Sequence, residues 1–210
     1  MKWDVFYEKF ANCSLITPQM VYAVGGDWRC MQVQISRWVK MGKLNKLARE
    51  KYVFSPLYQK KEFSEVTVAN TLVYPSYVSL EYALSFFGLI PEAVFAVTSV
   101  TPIRPRAYQT QQGHFIYRHV KKEMFWGYES QSPHMKEAMI ACPEKALLDT
   151  FYFWTGEISK ARVTEMRFQN LDQINVTKLF QFTERTKSQK LYKIVHHFLL
   201  PLIEEEKKAA

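Results

Sequence analysis

Apolar residues at the start of the chain recur at helical spacing. Val5, Phe6 and Phe10 predict a first helix over Trp3 to Ala11. Thr17 before Pro18 pairs a good N-cap with a residue suited to the first helical position, so a second helix of about two turns runs towards Gly25-Gly26. Asp27 caps a third helix, Trp28 to Met41, which Gly42 stops in a left-handed conformation. At about 100° per residue, Trp28, Met31, Ile35, Trp38 and Val39 share one side of it. Arg29, Gln32, Val33, Ser36 and Lys40 share the other. Apolar and basic residues then alternate over Lys43 to Leu47 and Lys51 to Phe54, a hairpin joined through Ala48-Arg49-Glu50. Ser55-Pro56-Leu57 breaks the pattern, and the polar run Tyr58 to Glu62 sets a domain boundary near residue 60.

Beyond that boundary the pattern is mixed. Ser64 starts a helix through Val68 and Leu72, which Tyr74-Pro75 ends. Another runs from Leu80 to Phe87 and closes at Gly88. From Ala93 to Tyr128 the period moves towards two. Strands are expected over Val94 to Val100, over a hairpin of Ala107 to Thr110 with His114 to Val120, and over Met124 to Tyr128 and Glu137 to Cys142. Pro143 opens a further helix with an acid in its first turn. Asn175 caps Val176 to Thr183, Ser188 starts a last helix, and Glu204 to Lys208 is expected to fray. The expected fold class is α+β: an N-terminal winged helix-turn-helix over residues 1–60, then a mixed domain over 61–210 with several helices and a small, mostly antiparallel sheet.

Charge sharpens this division. Residues 1–61 hold 11 Lys/Arg against 4 Asp/Glu, whereas residues 62–210 hold 17 against 16. Nearly all of the formal +8 therefore sits in the first third, which points to a local anionic partner. Nucleic acid is the first candidate and a membrane surface the second. No apolar run approaches the roughly 20 residues a membrane span needs, so no membrane role is expected. Cys13, Cys30 and Cys142 are scattered without CxxC spacing, which argues against a zinc module or disulfide framework and fits a reducing cytoplasm.

The basic segment carries the chemistry. Glutamine can pair with adenine, and arginine with guanine or phosphate, so the polar side of the third helix suits a DNA groove. The hairpin after it can lie along the phosphate backbone. The expected DNA-contact set is Arg29, Gln32, Ser36, Arg37, Lys40, Lys43, Lys46 and Arg49. Gly25-Gly26 lacks the GxxxxGK pattern and a preceding strand, so it reads as an inter-helix turn and not a phosphate loop. Glu144, Lys145 and Asp149 raise a nuclease alternative, since carboxylates with a lysine can hold a metal at a phosphodiester. Lys145 and Asp149 are equally an i,i+4 pair, and no upstream acid matches them. No catalytic residue, metal or cofactor is expected. His196-His197 diverge on a helix and do not chelate.

Several blocks resemble one family. Arg37-Trp38-Val39-Lys40-Met41-Gly42-Lys43-Leu44 leads to Lys51-Tyr52-Val53-Phe54, then to Pro75-Ser76-Tyr77-Val78-Ser79-Leu80-Glu81-Tyr82-Ala83-Leu84. Gly88-Leu89-Ile90-Pro91-Glu92, Thr98-Ser99-Val100-Thr101 and Ala141-Cys142-Pro143-Glu144-Lys145-Ala146-Leu147-Leu148-Asp149 follow in the same order. Together they resemble the AbiEi-type antitoxins of type IV toxin–antitoxin systems. The resemblance implies an N-terminal winged helix that represses its own operon on double-stranded DNA. It also implies a C-terminal domain that counters a nucleotidyltransferase-like toxin, and no catalytic residues. Pro75-Ser76-Tyr77 and Glu144-Lys145 read as structural punctuation in preference to partner surface. In the family a glycine usually turns the wing just before its second strand; here Glu50-Lys51 stands in its place. A transcription regulator whose second domain senses a ligand or protein, without a toxin, is the alternative.

Overall fold

The computed structural model describes residues 1–60, 64–130 and 138–209. Three helices come first: α1 (Trp3–Phe10), α2 (Pro18–Ala23) and α3 (Trp28–Lys40). A two-stranded antiparallel hairpin follows, β1 (Leu44–Ala48) with β2 (Lys51–Phe54), and Ile16 pairs with Tyr52 along its free edge. These elements bury one aromatic-rich cluster. Phe6 and Phe10 from α1, Val21 from α2, Trp28, Met31, Ile35 and Trp38 from α3, and Leu44 and Phe54 from the hairpin close on each other. Trp3 caps that cluster edge-on to Trp38 at 5.0 Å and to Phe54 at 6.0 Å.

The larger part is built on a six-stranded sheet. Its strands are β3 (Tyr77–Val78), β4 (Ala96–Thr101), β5 (Arg106–Thr110), β6 (Gly113–His119), β7 (Tyr128–Ser130) and β8 (Met139–Ala141), in the order β5-β6-β4-β3-β8-β7. Three of the neighbouring pairs are antiparallel, while β4 with β6 and β3 with β8 run parallel. The fold is thus mixed α+β with a small sheet, and the expected antiparallel character holds for three pairs out of five. Helix α4 (Glu65–Leu72) covers one face and α6 (Pro143–Phe153) the other. Successive residues of β6 show this: Tyr117 donates to the Ala69 carbonyl of α4 at 2.7 Å, and Arg118 lies over the Phe153 ring of α6 at 5.6 Å. Helix α5 (Leu80–Phe86) packs beside α6 and on β4.

The remaining helices are α7 (Lys160–Thr164), α8 (Val176–Thr186), α9 (Gln189–Ile194) and α10 (Leu200–Ala209), the last two joined by a π-helical turn over Val195–Leu199. Ser64, Asn175 and Ser188 cap as their positions predict, each accepting a backbone N–H from three residues on. No helix among the described residues is long and apolar enough to cross a membrane.

Three expectations are corrected. Met124 to Tyr128 is no strand: a 3-10 turn, Lys122–Met124, precedes β7, which begins only at Tyr128. Helix α10 continues through Glu204 to Lys208, where fraying was expected, because Glu206 accepts the Leu171 N–H at 3.0 Å and Lys207 donates to the Ile174 carbonyl at 3.1 Å. The two-residue strand β3 occupies a stretch expected to be punctuation. The expected boundary residue Glu62 and strand start Glu137 lie outside the described residues.

The N-terminal helices and hairpin share a core with the larger part. Leu15, Leu47 and Val53 belong to the cluster that fills the second part, and Lys51 Nζ donates to the Leu72 carbonyl at the end of α4. Burial draws the Lys51 ammonium below the usual lysine range, with the nearby Arg106 charge acting the same way.

Candidate nucleic-acid interface and a buried polar network

Helix α3 is set by its two ends. Asp27 accepts the Arg29 N–H at 2.8 Å, and that bond, with the Cys30 thiol at 3.4 Å, holds its carboxyl below the usual aspartate range. At the other end Gly42 takes φ 70°, its N–H donates to Val39, and the Lys43 N–H donates to Trp38 at 2.9 Å. That paired 5→2 and 6→1 bonding is a Schellman stop. The α2–α3 turn depends on Gly26, where a Cβ would lie 3.0 Å from the Val21 carbonyl oxygen. Glycine here lets two helices join in four residues, as an inter-helix turn demands.

The helical phase separates the side chains as expected. Trp28, Met31, Ile35 and Trp38 are buried, whereas Arg29, Gln32, Val33, Ser36, Arg37 and Lys40 are exposed. Lys46 and Arg49 on the hairpin are exposed as well. Among the described residues none of these cations forms an ion pair. Lys43 is the one member of the expected contact set that does not lie fully exposed. It is half-buried, with its ammonium 4.4 Å from the centre of the Trp3 ring and 5.8 Å from that of Tyr58. This cation–π seat fastens the hairpin base to α1.

Glu50 stands where the hairpin reverses, at φ 57°. A left-handed L-residue costs about 1–2 kcal/mol, whereas glycine escapes that cost but loses about 0.5–1 kcal/mol through a freer unfolded chain. Glu50→Gly is therefore expected to leave stability unchanged or raise it by up to about 1 kcal/mol in urea unfolding. If the hairpin lies along a phosphate backbone, the same change should also tighten binding to duplex DNA, since it removes a carboxylate between Arg49 and Lys51. Loss of stability would mean that Glu50 makes a contact worth more than its backbone strain.

Two motif blocks far apart in sequence meet inside the second part. Asp149 of α6 accepts the Tyr77 hydroxyl at 2.9 Å and the Ser79 hydroxyl at 2.8 Å. Lys145, one turn earlier, pairs with Asp149 and donates to the Tyr77 oxygen at 3.0 Å. Tyr77, Ser79, Lys145 and Asp149 are all without solvent exposure. Trp126 and Tyr77 present their rings to the ammonium at 4.9 and 5.5 Å. Gly127, at φ 78°, lies so close to the Lys145 stem that a Cβ would sit 2.9 Å from its Cγ. Burial pushes the Asp149 carboxyl up despite the neighbouring ammonium and hydroxyls, and it pushes the Tyr77 phenol well up.

This arrangement bears on the nuclease alternative. Lys145 and Asp149 spend their charges on each other behind a closed wall, and Glu144 points elsewhere, its Oε1 accepting the Asn175 N–H at 3.0 Å. No cluster of three or more metal-ligating side chains occurs among the described residues. The i,i+4 spacing of Lys145 and Asp149 was visible in the sequence; that Tyr77 and Ser79 complete the network was not. Compared with models of known families and with curated proteins, the chain matches none.

Proposed function

We propose that this chain is a DNA-binding antitoxin and autorepressor, non-enzymatic, that reads its own operator with an N-terminal winged helix-turn-helix. In this reading α3 enters the major groove, with Arg29, Gln32 and Ser36 at base edges and Arg37 and Lys40 at phosphates. The β1–β2 hairpin is the wing, and Lys46 and Arg49 follow the backbone. One observation carries it: the solvent side of α3 and the adjoining hairpin bear five exposed cations, Arg29, Arg37, Lys40, Lys46 and Arg49, against Glu50 and the capping Asp27. Unpaired cations on one helix and the next hairpin are what a polyanion neutralises.

The second part is read as the antitoxin domain, acting against a nucleotidyltransferase-like toxin. The order of the motif blocks supports this, as does the convergence of the two most specific ones on one buried network. The cytoplasm is the expected compartment, and no cofactor is required.

Binding of the purified chain to duplex DNA from upstream of its own gene tests the proposal. The logarithm of the binding constant should fall linearly with the logarithm of salt concentration, at about −0.9 per phosphate contacted. A scrambled duplex of equal length should bind at least about a thousandfold more weakly. Equal affinity for both duplexes would overturn sequence reading, and a flat salt response would overturn nucleic acid as the partner. Whether the gene next to it encodes a nucleotidyltransferase separates the antitoxin from a regulator without a toxin.

A further inference from the structure

A cleft of about 600 Å³ opens where α5 ends, β7 and β8 pass, and α6 and α8 begin. Among the described residues its charge is opposite to that of the molecule as a whole. The chain carries a formal +8, yet the described lining sets the carboxylates of Glu129 and Glu144 against one ammonium, that of Lys178. Phe86 and Phe87 supply an apolar wall, and Phe86 is 47% exposed.

Glu144 is the unusual member. It is 4% exposed, and its Oε1 is satisfied by the Asn175 N–H, but its Oε2 is closed to water and has no hydrogen-bond donor. Lys178 Nζ stands 3.6 Å from Glu144 Oε2 and 3.5 Å from Glu129 Oε1, beyond good hydrogen-bond length to either. A position in the first turn of α6 makes the charge tolerable there. It does not supply the missing donor, and an unmet carboxylate oxygen in a protein interior is costly. The Cys142 thiol beside it is pushed up to about 11 by burial, so it stays protonated at neutral pH and offers Glu144 at most a weak sulfur donor, with no charge of its own.

We propose that this cleft is a docking pocket for an arginine side chain of a partner protein. The guanidinium donates to Glu144 Oε2 and to Glu129 while its flat face rests on Phe86, and Lys178 swings out to solvent. Arginine fits better than lysine, because two carboxylates and an aromatic wall match a planar fork of donors and not a point charge. A protein fits better than a small amine, because the Glu129 side chain is 75% exposed and the cleft runs out onto open surface instead of closing round a ligand. Arginine docking in this cleft does not depend on DNA binding by α3.

An NMR titration of the full chain with the capped peptide acetyl-Gly-Arg-Gly-amide tests it, followed at the Asn175 and Gln173 amides. The arginine peptide should bind at least about tenfold more tightly than its citrulline counterpart, the scale of one charge-assisted hydrogen bond. Glu144→Gln, which keeps an oxygen for the Asn175 N–H, should remove that preference. Lys178→Met should tighten binding several-fold, since it deletes the competing internal cation. If the Glu144–Lys178 pair only holds the fold together, Lys178→Met gains nothing, and that result overturns the proposal. So does equal binding of the arginine and citrulline peptides, or no shift with either. Agmatine binding without peptide binding would make the cleft a small-amine site and overturn its assignment to a protein.

Discussion

Asp149→Ala is expected to cost about 3–5 kcal/mol of folding stability. The substitution strips the only carboxylate from a closed network and leaves the Lys145 ammonium in a wall of rings with no counter-ion. It also leaves the Tyr77 and Ser79 hydroxyls without their acceptor. A buried pair adds little over apolar residues of the same size, but half of one is strongly destabilising. The double variant Lys145→Met with Asp149→Leu should therefore be more stable than either single variant. It keeps some of the penalty, because the two hydroxyls still lack a partner. Urea unfolding at neutral pH reads the wild type and all four variants. A cost below about 1 kcal/mol for Asp149→Ala would show that water reaches the site and that the network is not sealed.

The network explains why the fold was only partly legible. Helix α3 could be read because everything that defines it is local: Asp27 at one end, Gly42 at the other, and a phase of apolar residues between them. The caps Ser64, Asn175 and Ser188 were legible for the same reason. Ser79 stands directly before the expected helix Leu80 to Phe87, but its hydroxyl is spent on Asp149, seventy residues away, and not on its own helix. Strand β3 is two residues long, too short for any periodicity to reveal, and it is defined by what Tyr77 reaches across the core.

Long-range contacts likewise decided the residues whose roles changed. Glu206 and Lys207 look like a solvated tail until they meet the backbone at Leu171 and Ile174. Lys43 and Lys51 read as two more cations in a basic run, but Trp3 claims one and the Leu72 carbonyl the other. The parallel pairing of β4 with β6 is invisible in a sequence where both strands alternate in the same way. Charge and helical phase locate the candidate interface; they do not tell which of its cations the protein has already used.

Paired substitutions on α3 and on the hairpin should separate base reading from phosphate contact. Arg29→Ala and Gln32→Ala each remove an exposed side chain from the first turns of α3. If these meet base edges, each should cost about 1–3 kcal/mol against the preferred duplex, and the two together should erase the preference over a scrambled one. Removing Gln32 should leave the salt slope unchanged, because glutamine neutralises no phosphate. Lys46→Ala and Arg49→Ala should behave differently: both duplexes weaken alike, and the slope falls by about one for each cation lost. Lys43→Ala is the internal control. Its ammonium already rests on Trp3, so its loss should appear in urea unfolding more than in the salt slope. Anisotropy titrations over a salt series give both quantities at once. If the four interface variants keep the wild-type preference, affinity and slope, α3 does not lie in the groove, and the basic surface serves another anion.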